Sequence, residues 1–429
     1  MLDIKDEVSR NIDKAVSLAL ELQANPELGY REFKSSAILR RYWEDLGLKV
    51  EGPFAGTGIR CTIEGAKDGP TLCLMSELDA VLSPLNPMAD KGTGAAHACG
   101  HNIQSAQVFA AASAILGFKD RLCGKVVLLA VPAEEFLEIE YRLNLRREGK
   151  IRYLSGKPEL YRLGVFNDID MVALIHAHPN TPGYEMYLKG GSLGFIAKNI
   201  RFIGKSAHGA APFDGRNALQ AANLFLSGVN ANRETFRDED SIRIHPIITK
   251  GGDVVNSVPD DVRIETYVRG RSTEAIEYGC KIVDRCAEAA AKMMDCGCEL
   301  ETIPGYLPLK QDERLSDAFA LAGERVIGKE SIHYGVDMVG STDIGDLCHL
   351  MPALQATLGG FTGEQHGSDF HCVDVRRSCL IGGSILAEFA YIVLSDNAKV
   401  GLDIVRSHQR LLSDPEYFDY MDGEKGRNG

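Results

Sequence analysis

A thiol and two imidazoles fall within five positions in His97-Ala-Cys-Gly-His-Asn102, the densest run of metal-binding side chains in the 429-residue chain. Cys99 and His101 flank Gly100, so in a tight turn both donor atoms converge on one ion. The alanine-rich run from Ile103 reads as a buried helix with Asn102 as its N-cap, and the dipole of such a helix favours a thiolate at its start. Taken alone, the hexapeptide fits a buried thiol beside core histidines as well as it fits half of a metal site. Ligands from elsewhere in the chain decide between the two.

Such groups stand at the ends of apolar runs. The run from Thr71 ends in Glu77-Leu-Asp79, the run from Lys125 in Pro132-Ala-Glu-Glu135, and the run from Ile169 in His176-Ala-His178-Pro179. In open α/β sheets ligands gather beyond the carboxyl ends of strands, which is where these groups would lie. A further histidine, His366, follows the last apolar run within Gly363-Glu-Gln-His-Gly-Ser-Asp-Phe370. Thiolate, imidazole and carboxylate together suit zinc, manganese or cobalt. If the strand continues through position 134, Glu134 points away from Glu135, and one glutamate holds metal while its neighbour takes a proton from activated water. The other reading of the pair is an exposed acidic dipeptide. Asp79 would orient a ligand without binding the ion, and His97 is structural or supports the ligands.

The elements that must carry these groups follow from periodicity. Helical spacing covers about 6–23 and 32–46, and short apolar strands covered on both faces follow, giving an α/β catalytic domain with a mixed sheet between helices. From about Gly190 the pattern alternates in the antiparallel manner, with helical stretches near 217–230 and 273–294. That order predicts an inserted, smaller α+β domain of four strands and two helices, dividing the chain into 1–188, 189–303 and 304–429. The charged segment 136–164 reads as a solvated helix and loop, and the tail from Asp414 as only partly ordered. Cys296-Gly-Cys298 reads as burial at a helix end.

Composition bounds the function. A 45% hydrophobic and 25% charged chain is globular, and a net charge of −13 argues against a general grip on nucleic acid or anionic membrane. No apolar run is expected to span a membrane. Eleven cysteines without secretory features point to reduced thiols in the cytoplasm.

Six motifs together, Glu77-Leu-Asp79, the hexapeptide, Pro132-Ala-Glu-Glu135, Gly204-Lys-Ser-Ala-His208, Asn256-Ser-Val-Pro259 and Gly340-Ser-Thr-Asp343, resemble the aminoacylase and carboxypeptidase G superfamily of metallohydrolases. The resemblance runs in order along nearly the whole chain. It is strongest to the branch of aminobenzoyl-glutamate hydrolases, dipeptidases and hippurate or indole-acetyl-amino-acid hydrolases. It implies metal ligands at Cys99, His101, Glu135, His176 and His366, with His178 as the alternative to His176, and a general base at Glu134. It implies that His208 stabilises an oxyanion in a partner subunit's active site, hence a homodimer, and that Asn256 and Arg269 grip a substrate carboxylate. One or two divalent ions per subunit, manganese or zinc, are the implied cofactor.

Two departures bear on specificity. Asn102 and Gln104 stand where hippurate-type enzymes carry Asp and His, and the segment after Glu135 is long for the family. The implied reaction is hydrolysis of a C–N bond in a small, carboxylate-bearing, aromatic substrate. It takes one of two forms: amide hydrolysis of N-acyl or aminobenzoyl amino acids or dipeptides, or hydrolytic deamination of an aromatic amine such as 5-nitroanthranilate. The alternative is a non-catalytic metal-binding or regulatory member of the family.

Overall fold

The apolar runs that end in Glu77, Val131 and Ala177 lie side by side in one sheet. A computed structural model describes residues 3–423 and divides the chain into two units. The first unit holds residues 3–191 of the described chain, 310–337 and 346–411, and its sheet has eight strands. Across it run Glu51–Phe54, Gly58–Glu64, Cys123–Val131, Lys67–Glu77, Met171–Ala177, Ala353–Leu358, Met186–Leu188 and Ile332–Tyr334. The four central strands, Cys123–Val131 through Ala353–Leu358, are mutually parallel, while Gly58–Glu64 and Met186–Leu188 pair with them antiparallel. The sheet is therefore mixed. Register aligns Glu77 with Val131 and His176 with Thr357, so the parallel strands end at a common edge.

Helices cover the sheet, which is why these strands are apolar on both faces: Val126 to Val131 are all fully buried. The helices His101–Phe118 and Val375–Leu394 pack closely. A Cβ on Gly383 would stand 2.7 Å from the Ala110 methyl, so only glycine permits the approach. Against expectation, Val375–Leu394 is long and apolar enough to cross a membrane by composition, yet 72% of its most apolar window is buried within the protein. It is a core helix. The first helical stretch is broken into Ile4–Ser9 and Ile12–Gln23.

The second unit holds residues 192–309 and 338–345, with 412–423 of the described tail. Its sheet, in the order Arg243–Ile244, Asp261–Gly270, Gly194–Ile203, Gly297–Pro304, is antiparallel, and Ile247–Lys250 also pairs with Asp261–Gly270. Five strands replace the four expected because the edge is broken at His245-Pro246, where proline has no N–H for the ladder. The helices Ala218–Asn232 and Thr273–Met293 bury Phe225, Ile282 and Val283 in this unit's own core. The boundaries fall at 191/192 and 309/310 rather than 188/189 and 303/304, and 338–345 belongs with the second unit, where Gly340 accepts a hydrogen bond from the Leu193 N–H. Residues 414–421 form a helix with a Ser413–Glu416 capping box; the last six residues of the acidic tail lie outside the described residues.

The charged segment departs most from expectation. It folds as two helices, Ile139–Arg147 and Gly156–Arg162, and Arg142, Lys157 and Glu159 are almost completely buried. The Lys157 ammonium lies 2.5 Å from the Glu77 carboxylate, with both side chains inaccessible. Periodicity could not show this, because a lysine reads as a surface residue until a buried partner is found for it. Lys157→Met leaves Glu77 buried and uncompensated and should destabilise the metal-free protein by roughly 3–5 kcal/mol, with Glu77→Met/Lys157→Met recovering most of the loss. Urea unfolding of the three variants measures this, and a single-variant loss below about 1 kcal/mol would contradict it.

Candidate metal centre

The loop that carries Cys99 turns at Gly100, whose φ of +87° is open to glycine alone at low cost, and a Cβ there would press on Ala177 at 2.8 Å. Gly100, not Asn102, is the N-cap, and His101 is the first residue of its helix; Asn102 instead donates to the Ala19 carbonyl. Cys99 Sγ lies 3.2 Å from His176 Nε2 and accepts from the Gln365 amide at 3.0 Å. His101 Nδ1 pairs with the Asp79 carbonyl at 2.8 Å, and His176 Nδ1 with the Ala177 carbonyl at 2.9 Å. Both carbonyls take the Nδ1 proton, so Nε2 is the nitrogen that each ring turns toward the thiol and carboxylates.

Three overlapping donor groups result, each with its atoms within 4.8 Å of one another: Cys99, His101 and His176; Cys99, Glu135 and His366; and Glu77, His101 and Glu134. The first two share the thiol. Glu77 Oε2, Asp79 Oδ1, His101 Nε2 and Glu135 Oε1 are buried and make no well-aligned hydrogen bond among the described residues, although imidazole nitrogens stand close: His101 Nε2 3.2 Å from Glu77 Oε2, His101 Nδ1 3.4 Å from Asp79 Oδ1 and His366 Nε2 3.1 Å from Glu135 Oε1. Buried lone pairs without donors are costly, and oxygen, imidazole and thiolate together suit a divalent transition ion. The residues present fit a metal.

Electrostatics agree. Burial and the Glu135 charge push the Cys99 thiol up, but the His176 and His101 imidazoles outweigh them and bring it to about 6. Burial likewise raises Glu135, yet His366 and His101 hold it down at about 2. Burial raises Glu77 too, and Lys157 followed by His101 bring it to about 2.

The adjacent glutamates are separated by a turn, not by strand alternation. The strand ends at Val131, and Ala133 has φ +52°, a left-handed conformation that a non-glycine residue adopts at a cost of roughly 1–2 kcal/mol. Glu134 then joins the group with Glu77 and His101, and Glu135 the group with Cys99 and His366. Asp79 supports both sides, its carbonyl on His101 and its carboxylate accepting the Glu135 N–H at 2.9 Å. Glu32, fully buried, accepts the Ala133 N–H at 2.7 Å; burial followed by the Asp79 charge raises its carboxyl to about 7.

The remaining expected residues divide. His366, with φ +65°, is anchored through its N–H to the Ala98 carbonyl and places Nε2 3.1 Å from Glu135 Oε1 at the exposed rim. His178 joins no donor group; its ring packs on Tyr187 with centroids 4.0 Å apart. His97 also joins none, and burial drives its imidazole down to about 3. His208, Asn256 and Arg269 belong to the second unit. His208 is exposed, and its Nδ1 accepts the Ala210 N–H, so the proton sits on Nε2 as a free donor. Asn256 is exposed beside it, its carbonyl accepting the Gly209 N–H. The Arg269 guanidinium bonds to Ser341 at 2.7 Å and His245 at 3.1 Å, stacks over Phe195 and Tyr267, and meets no carboxylate among the described residues. Sequence reasoning named Glu77 only within the strand-end motif Glu77-Leu-Asp79 and gave no site role to it or to Glu32, Gln365, Lys157 and Arg142. Glu77 alone had a signal, its place at the same strand end as Asp79.

Comparison with known proteins places this geometry. N-acetylcysteine deacetylase of Bacillus subtilis (strain 168) is 24% identical over 392 residues, covering 89% of this chain and 97% of that protein. Xaa-Arg dipeptidase of Mus musculus is 25% identical over 377 residues, 82% of this chain and 78% of its own. A dinuclear metal-binding M20 peptidase from Bacillus subtilis shares the fold with a TM-score of 0.68 at 23% identity, covering 90% of this chain and 99% of that one. The aminobenzoyl-glutamate utilization protein of Klebsiella pneumoniae does so with a TM-score of 0.67 at 18% identity, covering 91% and 98%. The model of peptidase family M20/M25/M40 matches residues 73–391, a span that holds every one of these candidate ligands, and the chain belongs to that family, a metal-dependent hydrolase of C–N bonds.

Proposed function

We propose a homodimeric hydrolase in which Cys99, His101, Glu135, His176 and His366 hold one or two manganese or zinc ions, Glu134 is the general base, and Arg269 and Asn256 bind the carboxylate of a small aromatic substrate. The observation that carries this reading is the Ala133 turn, which sends Glu135 to the thiolate group and leaves Glu134 outside it. A divalent ion held there would supply a Lewis acid that makes water a nucleophile near neutral pH. Glu134 takes a proton from the attacking water and returns it to the departing nitrogen. His208, with its proton on Nε2, donates to the oxygen on which charge develops. The eleven unpaired cysteines support a reducing, cytoplasmic setting.

Distances within the second unit support a site composed of two subunits. Arg269 pairs with Phe195 at the start of the strand Gly194–Ile203, whereas His208 lies beyond its end. The pairing continues outward from there, through the Ala207 carbonyl and Val258 and then His208 opposite Ser257. From Phe195 to Ile203 the strand advances roughly 26 Å, and His208 lies further on, which disfavours one chain's His208 and Arg269 meeting the same small substrate. A second subunit resolves the distance.

The aromatic rings around Arg269 favour an aryl carboxylate. Both forms of the reaction therefore stand: release of an amino acid from an acyl or aminobenzoyl conjugate, and release of ammonia from an anthranilate.

The metal-loaded enzyme, screened with N-acyl amino acids, aminobenzoyl-glutamate and substituted anthranilates, distinguishes these by the product released. Glu134→Gln should lower turnover of the accepted substrate by roughly 10²–10⁴-fold with metal content unchanged, and unaltered turnover excludes Glu134 as the base. Mixing His208→Ala with Glu134→Gln subunits should restore about a quarter of wild-type activity, since half the dimers are hybrids and each has one intact site. Activity of the His208→Ala protein by itself would rule out the composite site. In the metal-free protein the His176 and His101 imidazoles bring the Cys99 thiol down to about 6, so absorbance at 240 nm should step up near pH 6 and lose that step in Cys99→Ser. A first step only above pH 8 would contradict the geometry.

A further inference from the structure

Arg142 is a buried cation with no carboxylate. It lies on the helix Ile139–Arg147, is 1% exposed, and forms no ion pair among the described residues. Its terminal nitrogens instead donate to three backbone carbonyls: to Leu154 at 2.6 Å, to Ala133 at 3.3 Å, and to Glu135. Its guanidinium also lies over the rings of Tyr30 and Phe136, at 5.5 and 5.8 Å. A Cβ on Gly29 would collide with this guanidinium and crowd Ala133, so the chain leaves room for Arg142 at a second place. Burying a guanidinium is expensive unless its donors are used, and here two of its three acceptors lie on the residues either side of Glu134.

We infer that Arg142 is the positioning residue of the Glu134–Glu135 pair. The Ala133 turn is left-handed and held against its own preference by four groups: Glu32 on its N–H, Arg142 and the Gly156 N–H on its carbonyl, and Asp79 on the Glu135 N–H. Arg142 is the one that grips both ends. Its planar fork fixes the Ala133 and Glu135 carbonyls relative to one another, and so fixes the two side chains leaving the turn in different directions. A lysine has a compact charge in place of that fork and cannot span the same carbonyls with the same geometry. The segment after Glu135 therefore serves the site from inside, without touching substrate or metal.

The inference rests on the reading of Glu135 as a metal ligand, so Glu135→Gln is measured alongside Arg142→Lys and Arg142→Ala. Manganese affinity by titration calorimetry is the principal readout, with circular dichroism to establish folding. Loss of a group that supports a ligand typically weakens metal affinity 10–100-fold, and that loss is expected for folded Arg142→Lys. Arg142→Ala should regain affinity in millimolar guanidinium and not in methylammonium. If Arg142→Ala does not fold, Arg142→Lys decides alone. Weakened binding by Glu135→Gln together with wild-type affinity of Arg142→Lys overturns the positioning role while the metal reading stands. Wild-type affinity of Glu135→Gln overturns both.

Discussion

The first unit is organised around a buried excess of negative charge. Glu32, Glu77, Asp79, Glu134, Glu135 and the Cys99 sulfur all sit at one edge of the sheet with at most 8% exposure. Carboxylates taken out of water must be protonated, paired or coordinated. Each route is used. Glu32 moves toward the neutral form, Glu77 is paired with Lys157, and Glu135 and Cys99 turn their donor atoms toward the imidazoles of His366 and His176. What these leave uncompensated is the set of bare lone pairs suited to a divalent ion.

The same charge explains the segment after Glu135. A helix with Arg142, Arg146 and Arg147 on it is expected to lie in solvent, and part of it does: Arg147 pairs with Glu140 at the surface. Arg142 and Lys157, however, turn inward and are buried, one against backbone carbonyls and the other against a carboxylate. A segment that looks like decoration in the sequence supplies the counter-charges of the interior.

The second unit follows a different logic. Its antiparallel sheet is apolar on one face, so Asp261–Gly270 alternates between buried and accessible positions and its core is separate from the first. The sheet also acts as a ruler, with Arg269 at one end and His208 beyond the other.

Much of this was legible in order along the chain. Apolar runs ending in Glu77, Val131 and His176 imply parallel strands, because only a strand covered on both faces can be apolar throughout, and the chemistry of thiolate with imidazole and carboxylate implies a transition metal whatever the fold. Residue types and their spacing therefore determined the α/β class, the family and the list of candidate ligands. The tertiary structure decided what depends on direction and on distant partners: that Glu134 and Glu135 diverge through a left-handed Ala133 and not along a strand, that His176 and not His178 faces Cys99, and that Lys157 and Arg142 are interior. The reason is physical. Periodicity records how often a residue meets the core, but which lone pair meets which proton depends on backbone dihedrals and on groups distant in sequence, such as Glu32 on Ala133 and Gln365 on Cys99, and no local pattern encodes those.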